Sequence, residues 1–377
     1  MIYRVLLIIS ILVHLIVLAL VCFFVGGYLK HRNEHLPDVH PKVAMIVPCK
    51  GQQENLQDNL EAISTQDYPD YRVLFIIDSK DDAAYPTLKK ITEKTKNAHI
   101  VLTTKLEGCS GKIAALLTGI DHARDAEVFV FADADIHPHH EWLAFLVAPL
   151  SKKRIGAVTG YRWYFPTDWT SSVISTWNMA TISGLFNPVS TFAWGGSTAI
   201  TQTLFEQVHL ASQWKKGYSD DLILTREVKK AGYQIEFSPL CLVDSPPEKE
   251  LKKFLRWGTT QFTWVRWYNP VGWSISFVGL IGFTGLPFLG LLFVGIGWTL
   301  PGVIMLGLVL TEMLYGGIGI MVLRRLMRYP RSRTQHAYRY VLLMPLAFLL
   351  YTYNILASSI KKHILWGGRI YEKKDTR

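Results

Sequence analysis

The chain has 377 residues, 49% of them apolar and 12% aromatic, with 12 Trp and a formal net charge of +10. That size admits one large domain with membrane segments, or two domains, and the apolar, Trp-rich make-up points to a membrane protein with a soluble part. The charge suits an anionic membrane surface or a phosphate-bearing substrate and disfavours nucleic acid as a partner, because much of the basic excess flanks apolar spans. Cys22, Cys49, Cys109 and Cys241 show no C-x-x-C spacing. Neither a zinc site nor a disulfide framework is indicated, which fits a reducing compartment for the soluble part.

Val5 to Leu29 is an apolar run long enough to span a bilayer, interrupted only by His14. It is too long for a signal peptide, and no small-residue cleavage site follows. Lys30, His31 and Arg32 follow the span, against Arg4 before it. The positive-inside rule then puts the residues after position 30 in the cytoplasm.

From Lys42 the pattern changes to strands alternating with helices. Val43 to Pro48 reads as a buried strand, followed by the loop Cys49-Lys50-Gly51 and a helix over Glu54 to Gln66. Tyr71 to Ile77 is a second strand, ending at Asp78; a charged helix covers Ala83 to Lys96, and His99 to Thr103 is a short third strand. A helix follows over Lys112 to Ala123, then the strand Val128 to Ala132. Such alternation implies a parallel sheet with right-handed crossovers. The chain lacks both the G-x-G-x-x-G and the G-x-x-x-x-G-K-[ST] patterns, which disfavours a dinucleotide-binding or P-loop domain.

The strand Val128 to Ala132 stops at Asp133-Ala134-Asp135, with Pro138 just beyond. Side chains alternate along a strand, so Asp133 and Asp135 point the same way, and two like charges there call for a cation. Strand-end carboxylates suit Mg²⁺ or Mn²⁺, which usually share their shell with substrate phosphates. Ligands of an open α/β sheet bind at the carboxyl ends of its strands. Asp78 sits at another such end, where an acid contacts a ribose or base or else caps a helix. Lys112 meets a phosphate at a helix N-terminus or is merely solvated.

Ile155 to Gly160 is a further strand, Thr170 to Phe186 a helix of the membrane interface or of the core, and Trp194-Gly195-Gly196-Ser197 a loop where backbone can approach a ligand. Asp220 and Asp221 open a helix over Leu222 to Lys230; the helix dipole accounts for one of them more easily than for both. Lys249 to Tyr268 is basic and aromatic, and its Arg256 and Trp257 are either a diphosphate clamp with a sugar or lipid wall, or parts of a membrane-surface helix. Ile275 to Trp298 and Pro301 to Leu323 form a hairpin of apolar spans, and Arg324 to Arg339 is basic. Tyr340 to Ser358 is a last apolar run with Pro345 inside, either a fourth span or a re-entrant segment, and the tail from Lys361 to Arg377 is basic.

The order Asp78, Asp133-x-Asp135, Asp221 and Lys253-x-x-Arg256-Trp257, framed by apolar spans, resembles the membrane-bound family 2 glycosyltransferases, and within them the ceramide glucosyltransferase-like, hopanoid-associated group. The tail Trp366-Gly367-Gly368-Arg369-Ile370-Tyr371 is similar to a segment of that group. The resemblance implies an α/β GT-A fold, mainly a parallel sheet, with transmembrane helices around it. The implied division is a transmembrane helix over 1–30, a cytoplasmic catalytic domain over 42–248, a membrane-surface segment over 249–272, and C-terminal transmembrane helices with the basic tail over 273–377.

By position, the resemblance makes Asp78, Lys112, Asp133, Asp135 and Lys253 donor-binding residues and places a divalent cation, Mg²⁺ or Mn²⁺, on Asp135 and Asp133. Asp221 becomes the catalytic base, assisted by Arg256 and Trp257, while Asp220 points away or caps the helix. Lys253 departs from the family's Gln or Arg, and Arg266-Trp267 is a coincidental second Arg-Trp. The implied reaction is an inverting transfer of a sugar, UDP-linked by the same resemblance, to a membrane lipid hydroxyl by an integral, multi-pass membrane protein. A processive polysaccharide synthase, a non-catalytic nucleotide-sugar-binding membrane protein and a cation transporter are the rival classes.

Overall fold

In the computed structural model, which describes residues 2–31, 39–245, 248, 250–326 and 336–373, the apolar run after the first residues is one helix, α1 (Ile2–His31). Buried apolar runs then become strands, and the polar stretches between them become helices with one apolar face. The order is β1 (Val43–Cys49), α2 (Leu56–Ser64), β2 (Tyr71–Ile77), α3 (Tyr85–Lys94), β3 (Ala98–Leu102), α4 (Gly111–Asp121) and β4 (Val128–Ala132). After the short α5 (Trp142–Val147) come β5 (Ile155–Tyr164), α6 (Trp169–Leu185), β6 (Ser197–Thr201), α7 (Gln202–Gln207), α8 (Leu210–Trp214), α9 (Asp220–Lys230) and β7 (Gln234–Ser245). The chain continues with α10 (Leu251–Tyr268), α11 (Pro270–Gly295), α12 (Thr299–Leu326), α13 (Ala337–Ile360), β8 (His363–Trp366) and β9 (Arg369–Glu372).

Seven strands form one sheet in the order β3-β2-β1-β4-β6-β5-β7. β1 lies between β2 and β4, parallel to both, with Cys49 level with Ile77 and Ile46 level with Phe131. The carboxyl ends of β1, β2 and β4 therefore share one edge, as the alternation predicts. β6 breaks the pattern: it runs antiparallel to β4 and to β5. The stretch from Trp194 is thus a turn feeding a strand rather than a loop throughout, because Ser197 to Ala199 pair with Val130 to Ala132.

The chain divides into two compact units. The sheet unit takes Glu34–Trp163, Pro188–Ser245 and Leu365–Arg377; the helical unit takes Met1–Asn33, Tyr164–Asn187 and Pro246–Ile364. A single uninterrupted catalytic block over 42–248 does not describe this division, because α6 joins the helical unit. Its Trp177 ring stacks on Tyr351 of α13 at 4.3 Å, and Ser175 Oγ and the Tyr340 hydroxyl share a 2.7 Å hydrogen bond. α6 is mostly buried, so it is core rather than an interfacial helix.

Among the described residues four helices are long and apolar enough to cross a membrane: Arg4–His31, Pro270–Gly295, Thr299–Leu326 and Ala337–Ile360. The last runs unbroken past Pro345. α11 and α12 reverse at Gly297, whose φ of +85° is open to glycine without strain. Arg32, the basic stretch 327–335 and the residues 374–377, which carry part of the charge used for orientation, lie outside the described residues.

Candidate active site

The site of interest lies on the carboxyl edge of the sheet unit. β4 is buried over its whole length and delivers Asp133 and Asp135 directly beyond its end. The Asp133 amide donates to the Gly196 carbonyl at 3.3 Å, which ties the acid pair to the turn before β6. α4 starts beside it: Ser110 caps the helix by accepting from the Ile113 amide at 3.2 Å, and the Ser110 amide donates to the Gly217 carbonyl at 3.3 Å. That link joins the start of α4 to the loop that leads into α9. Trp214 completes the assembly. It is fully buried, its ring lies 5.2 Å from that of Phe131 on β4, and its Nε1 donates to the Asp220 carbonyl at 2.9 Å.

These anchors bring Lys112, Asp133 and Asp220 together. Lys112 Nζ donates to Asp133 Oδ1 at 2.7 Å and to the Gly195 carbonyl at 3.2 Å, and lies 3.4 Å from Asp220 Oδ2. Gly195 makes room for the pair, since a Cβ there would fall 2.5 Å from Asp220 Oδ2 and 2.7 Å from Lys112 Nζ. Arg162, on β5, faces both strand-end acids: its guanidinium lies 3.9 Å from Asp133 Oδ2 and 4.0 Å from Asp135 Oδ2. Its other side lies over the Trp194 ring, 4.8 Å from the centroid.

The electrostatics divide the acids by role. Burial opposes ionisation of Asp133, but the charge and hydrogen bond of Lys112 and the charge of Arg162 outweigh it and hold its pKa below the ordinary value. Burial raises the pKa of Asp135; Arg162 opposes that shift and the charge of Asp133 adds to it. Asp220 is pushed up to about 6 by burial, with Lys112 pulling down and Asp221 and Asp133 pushing up. The positive charge of Lys112, 3.4 Å away, is what opposes that rise. Burial works against the Lys112 charge, yet Asp133 and Asp220 keep it protonated.

Asp220 and Asp221 differ from expectation. Asp220 is the one that faces Lys112, 8% exposed. Asp221 anchors the helix start: its Oδ1 accepts from Ser219 Oγ at 2.5 Å and from the Leu222 amide at 2.7 Å. The indole of Trp214, six residues earlier, bonds the Asp220 carbonyl and fixes the backbone at that residue. Asp221 remains next to the cluster, near enough for its charge to support that of Lys112.

Asp78 is exposed at the end of β2, on the same sheet edge as Asp133 and two strands away. It caps no helix; Asp82 makes the local bonds instead, accepting from the amides of Gly51 at 2.8 Å and Ala84 at 2.9 Å. Lys253, Arg256 and Trp257 belong to α10 in the helical unit. Lys253 Nζ pairs with Glu250 at 2.5 Å on an exposed face, and Arg256 is exposed. Arg266 has a structural role, donating to the carbonyls of Ser359 and Lys361 at the end of α13.

The acids fit a divalent cation. Asp135 Oδ1 is buried without a hydrogen-bond partner, an arrangement that costs about 1–3 kcal/mol or more unless something compensates it. Hard carboxylate oxygens of this kind suit Mg²⁺ or Mn²⁺. Among the described residues no three His, Cys, Asp or Glu side chains converge on one point, so a phosphate-bearing ligand would complete the shell. His139 is engaged elsewhere, with Nε2 2.7 Å from the Leu240 carbonyl.

Lys112→Met leaves Asp133 and Asp220 facing each other without their cation. The expected outcome is a loss of about 1–3 kcal/mol of stability, read as a lower Tm. An unchanged Tm would show that the ion pair is dispensable.

Arg162 escaped sequence reasoning. Its signal was present, a charged residue inside the apolar run Gly160-Tyr161-Arg162-Trp163, but nothing in the sequence says that β5 lies two strands from β4.

Against known families, the model of glycosyl transferase family 21 matches residues 6–376 of this chain. The chain belongs to that family. The resemblance to the ceramide glucosyltransferase group thus becomes membership in family 21, and the mainly parallel GT-A-type sheet and the membrane-length helices are both present. The glycosyltransferase AglE of Haloferax volcanii is 30% identical over 122 residues, 32% of this chain and 39% of that protein. Ceramide glucosyltransferase 1 of Caenorhabditis elegans is 26% identical over 142 residues, 37% of this chain and 30% of that protein. The chain thus spans well under half the length of either relative. Among solved structures, the mannosyltransferase PcManGT of Pyrobaculum calidifontis, in complex with GDP-Man and Mn²⁺, is 16% identical with a TM-score of 0.49, covering 94% of this chain and 98% of that one.

Proposed function

We propose that this family 21 protein transfers a sugar from a nucleotide sugar to the hydroxyl of a membrane lipid, with inversion at the anomeric carbon. The observation that carries the proposal is the convergence of Lys112, Asp133, Asp135, Arg162 and Asp220 on one sheet edge, with a buried Asp135 oxygen left without a partner. Asp133 and Asp135 would hold a divalent cation, Mg²⁺ or Mn²⁺, which supplies neutralising charge for a diphosphate when bound. Lys112 and Arg162 hold the acids in place. Asp78, on the same edge, binds the nucleoside.

Asp221 takes the proton of the acceptor hydroxyl. Its Oδ1 is fixed by Ser219 and the Leu222 amide, which orients the carboxylate as a base requires. Asp220, already paired with Lys112, keeps that lysine in place. A lipid acceptor is supported by the four membrane-length helices among the described residues and by a ceramide glucosyltransferase among the relatives. Lys30 and His31 after the first span support a cytoplasmic catalytic face.

The test is incubation of the purified protein with a panel of nucleotide sugars and a total lipid extract, read by mass spectrometry. One lipid gaining one hexose supports the proposal; a polymer or no product overturns it. Arg256 and Trp257 of α10 assist at the leaving diphosphate and the acceptor, with Lys253 as a further donor contact. Arg256→Ala is then expected to lower kcat by about 10- to 100-fold, the worth of one charge-assisted hydrogen bond, with little change in acceptor KM. A change confined to acceptor KM would assign Arg256 to the membrane surface instead.

A further inference from the structure

The tail of the chain returns to the sheet unit, far in sequence from the strands it meets. Tyr371, 7% exposed, packs its ring 4.8 Å from Tyr218, and the backbone of Gly111 lies close enough to its hydroxyl to favour the ionised form. It thereby touches both loops that build the site: the start of α4, which carries Lys112, and the segment leading to Ser219, Asp220 and Asp221. Gly367 and Gly368, with φ of +56° and +77°, make the reversal before it, a conformation L side chains resist. Lys50, in the loop after β1, donates to the Gly367 carbonyl at 3.3 Å.

This docking sets the Arg369 guanidinium over the first residue of α4. A Cβ on Gly111 would lie 3.7 Å from Arg369 Nη1. The Arg369 side chain is exposed, and no hydrogen bond or ion pair ties it to another side chain among the described residues. Lys112 is the next residue along from Gly111, and Lys50 holds the same turn. Three cations thus gather on the carboxyl edge, and among the described residues only Lys112 has acids to neutralise it. Gathering like charges is unfavourable unless an anion joins them, and a guanidinium is the side chain best shaped to grip phosphate oxygens.

We propose that Arg369, delivered by the docked tail, is a phosphate-binding residue of the donor site and clamps the diphosphate of the nucleotide sugar. The inference rests on the sugar-transfer reading above. Tyr371 and the Gly-Gly turn are positioning elements. Arg369 is exposed, so its replacement leaves the core intact.

The experiment is calorimetric titration of the purified full-length protein, unaltered, Arg369→Met and Arg369→Lys, with UDP, GDP and uridine in the presence of Mn²⁺, alongside the Tm of each variant. For whichever diphosphate the unaltered protein binds, Arg369→Met is expected to weaken binding on the order of tenfold or more. Arg369→Lys should recover part of that loss, with Tm unchanged. Uridine binding should be the same in all three, because a phosphate contact leaves the nucleoside alone. Equal diphosphate binding by Arg369→Met and the unaltered protein overturns this inference and leaves the sugar-transfer reading standing. Failure of the unaltered protein to bind either diphosphate overturns both. A uniform loss that includes uridine, or a fall in Tm, would make Arg369 a structural residue and overturn the phosphate contact.

Discussion

Replacing Asp221 with Asn is expected to cut turnover by about 10²- to 10⁴-fold, the range for removal of a positioned base, while donor binding stays close to that of the unaltered protein. The substitution keeps the local structure, because the Asn Oδ1 can still accept from Ser219 and the Leu222 amide, the two bonds Asp221 makes. What it removes is the lone pair that takes the acceptor's proton. Asp220→Asn serves as the comparison. Asp220 faces Lys112 at 3.4 Å, so its neutralisation leaves Lys112 with Asp133 alone and should shift donor KM more than kcat. The assignment fails if the two variants behave the other way round, with Asp220→Asn losing turnover at intact donor affinity. The base would then be Asp220, whose pKa of about 6 also suits proton transfer near neutrality.

Asp135→Ala is expected to remove most activity, and excess chelator should silence the unaltered protein to a similar degree. Asp135 is the acid whose Oδ1 is buried and unpartnered, whereas Asp133 is already paired with Lys112 at 2.7 Å. Removing Asp135 therefore takes away a ligand and little else, and the fold should survive, since half its side chain, 46%, meets solvent. Full turnover in excess chelator would contradict a metal-assisted site and leave Lys112 and Arg162 as the charges that face the diphosphate.

The sheet was readable from sequence where local pattern decides it. β2 and β4 fall on the residues their apolar runs predict, and the carboxyl edge follows from the alternation. The acids at 133 and 135 were legible for the same reason: a buried strand has to stop somewhere, and two carboxylates mark where. Reversals set by distant contacts were not readable. β6 is antiparallel because it pairs with β4 and β5, and β7 was not anticipated at all. The backbone at Asp220 is fixed by the indole of Trp214, six residues earlier, bonding its carbonyl. Arg162 and Arg369 reach the sheet edge through strand order and chain return, which no local pattern encodes. The place of α6 in the helical unit rests likewise on its contacts with Tyr340 and Tyr351.

The Lys112, Asp133, Asp135 and Asp220 cluster is proposed above as a metal-dependent nucleoside diphosphate site. Titration of the purified protein and of Asp135→Asn with UDP and GDP, with Mn²⁺ and again in excess chelator, measures this most directly. Saturable binding of one diphosphate that needs both Mn²⁺ and Asp135 is the predicted result; equal affinity in chelator, or in Asp135→Asn, would contradict it.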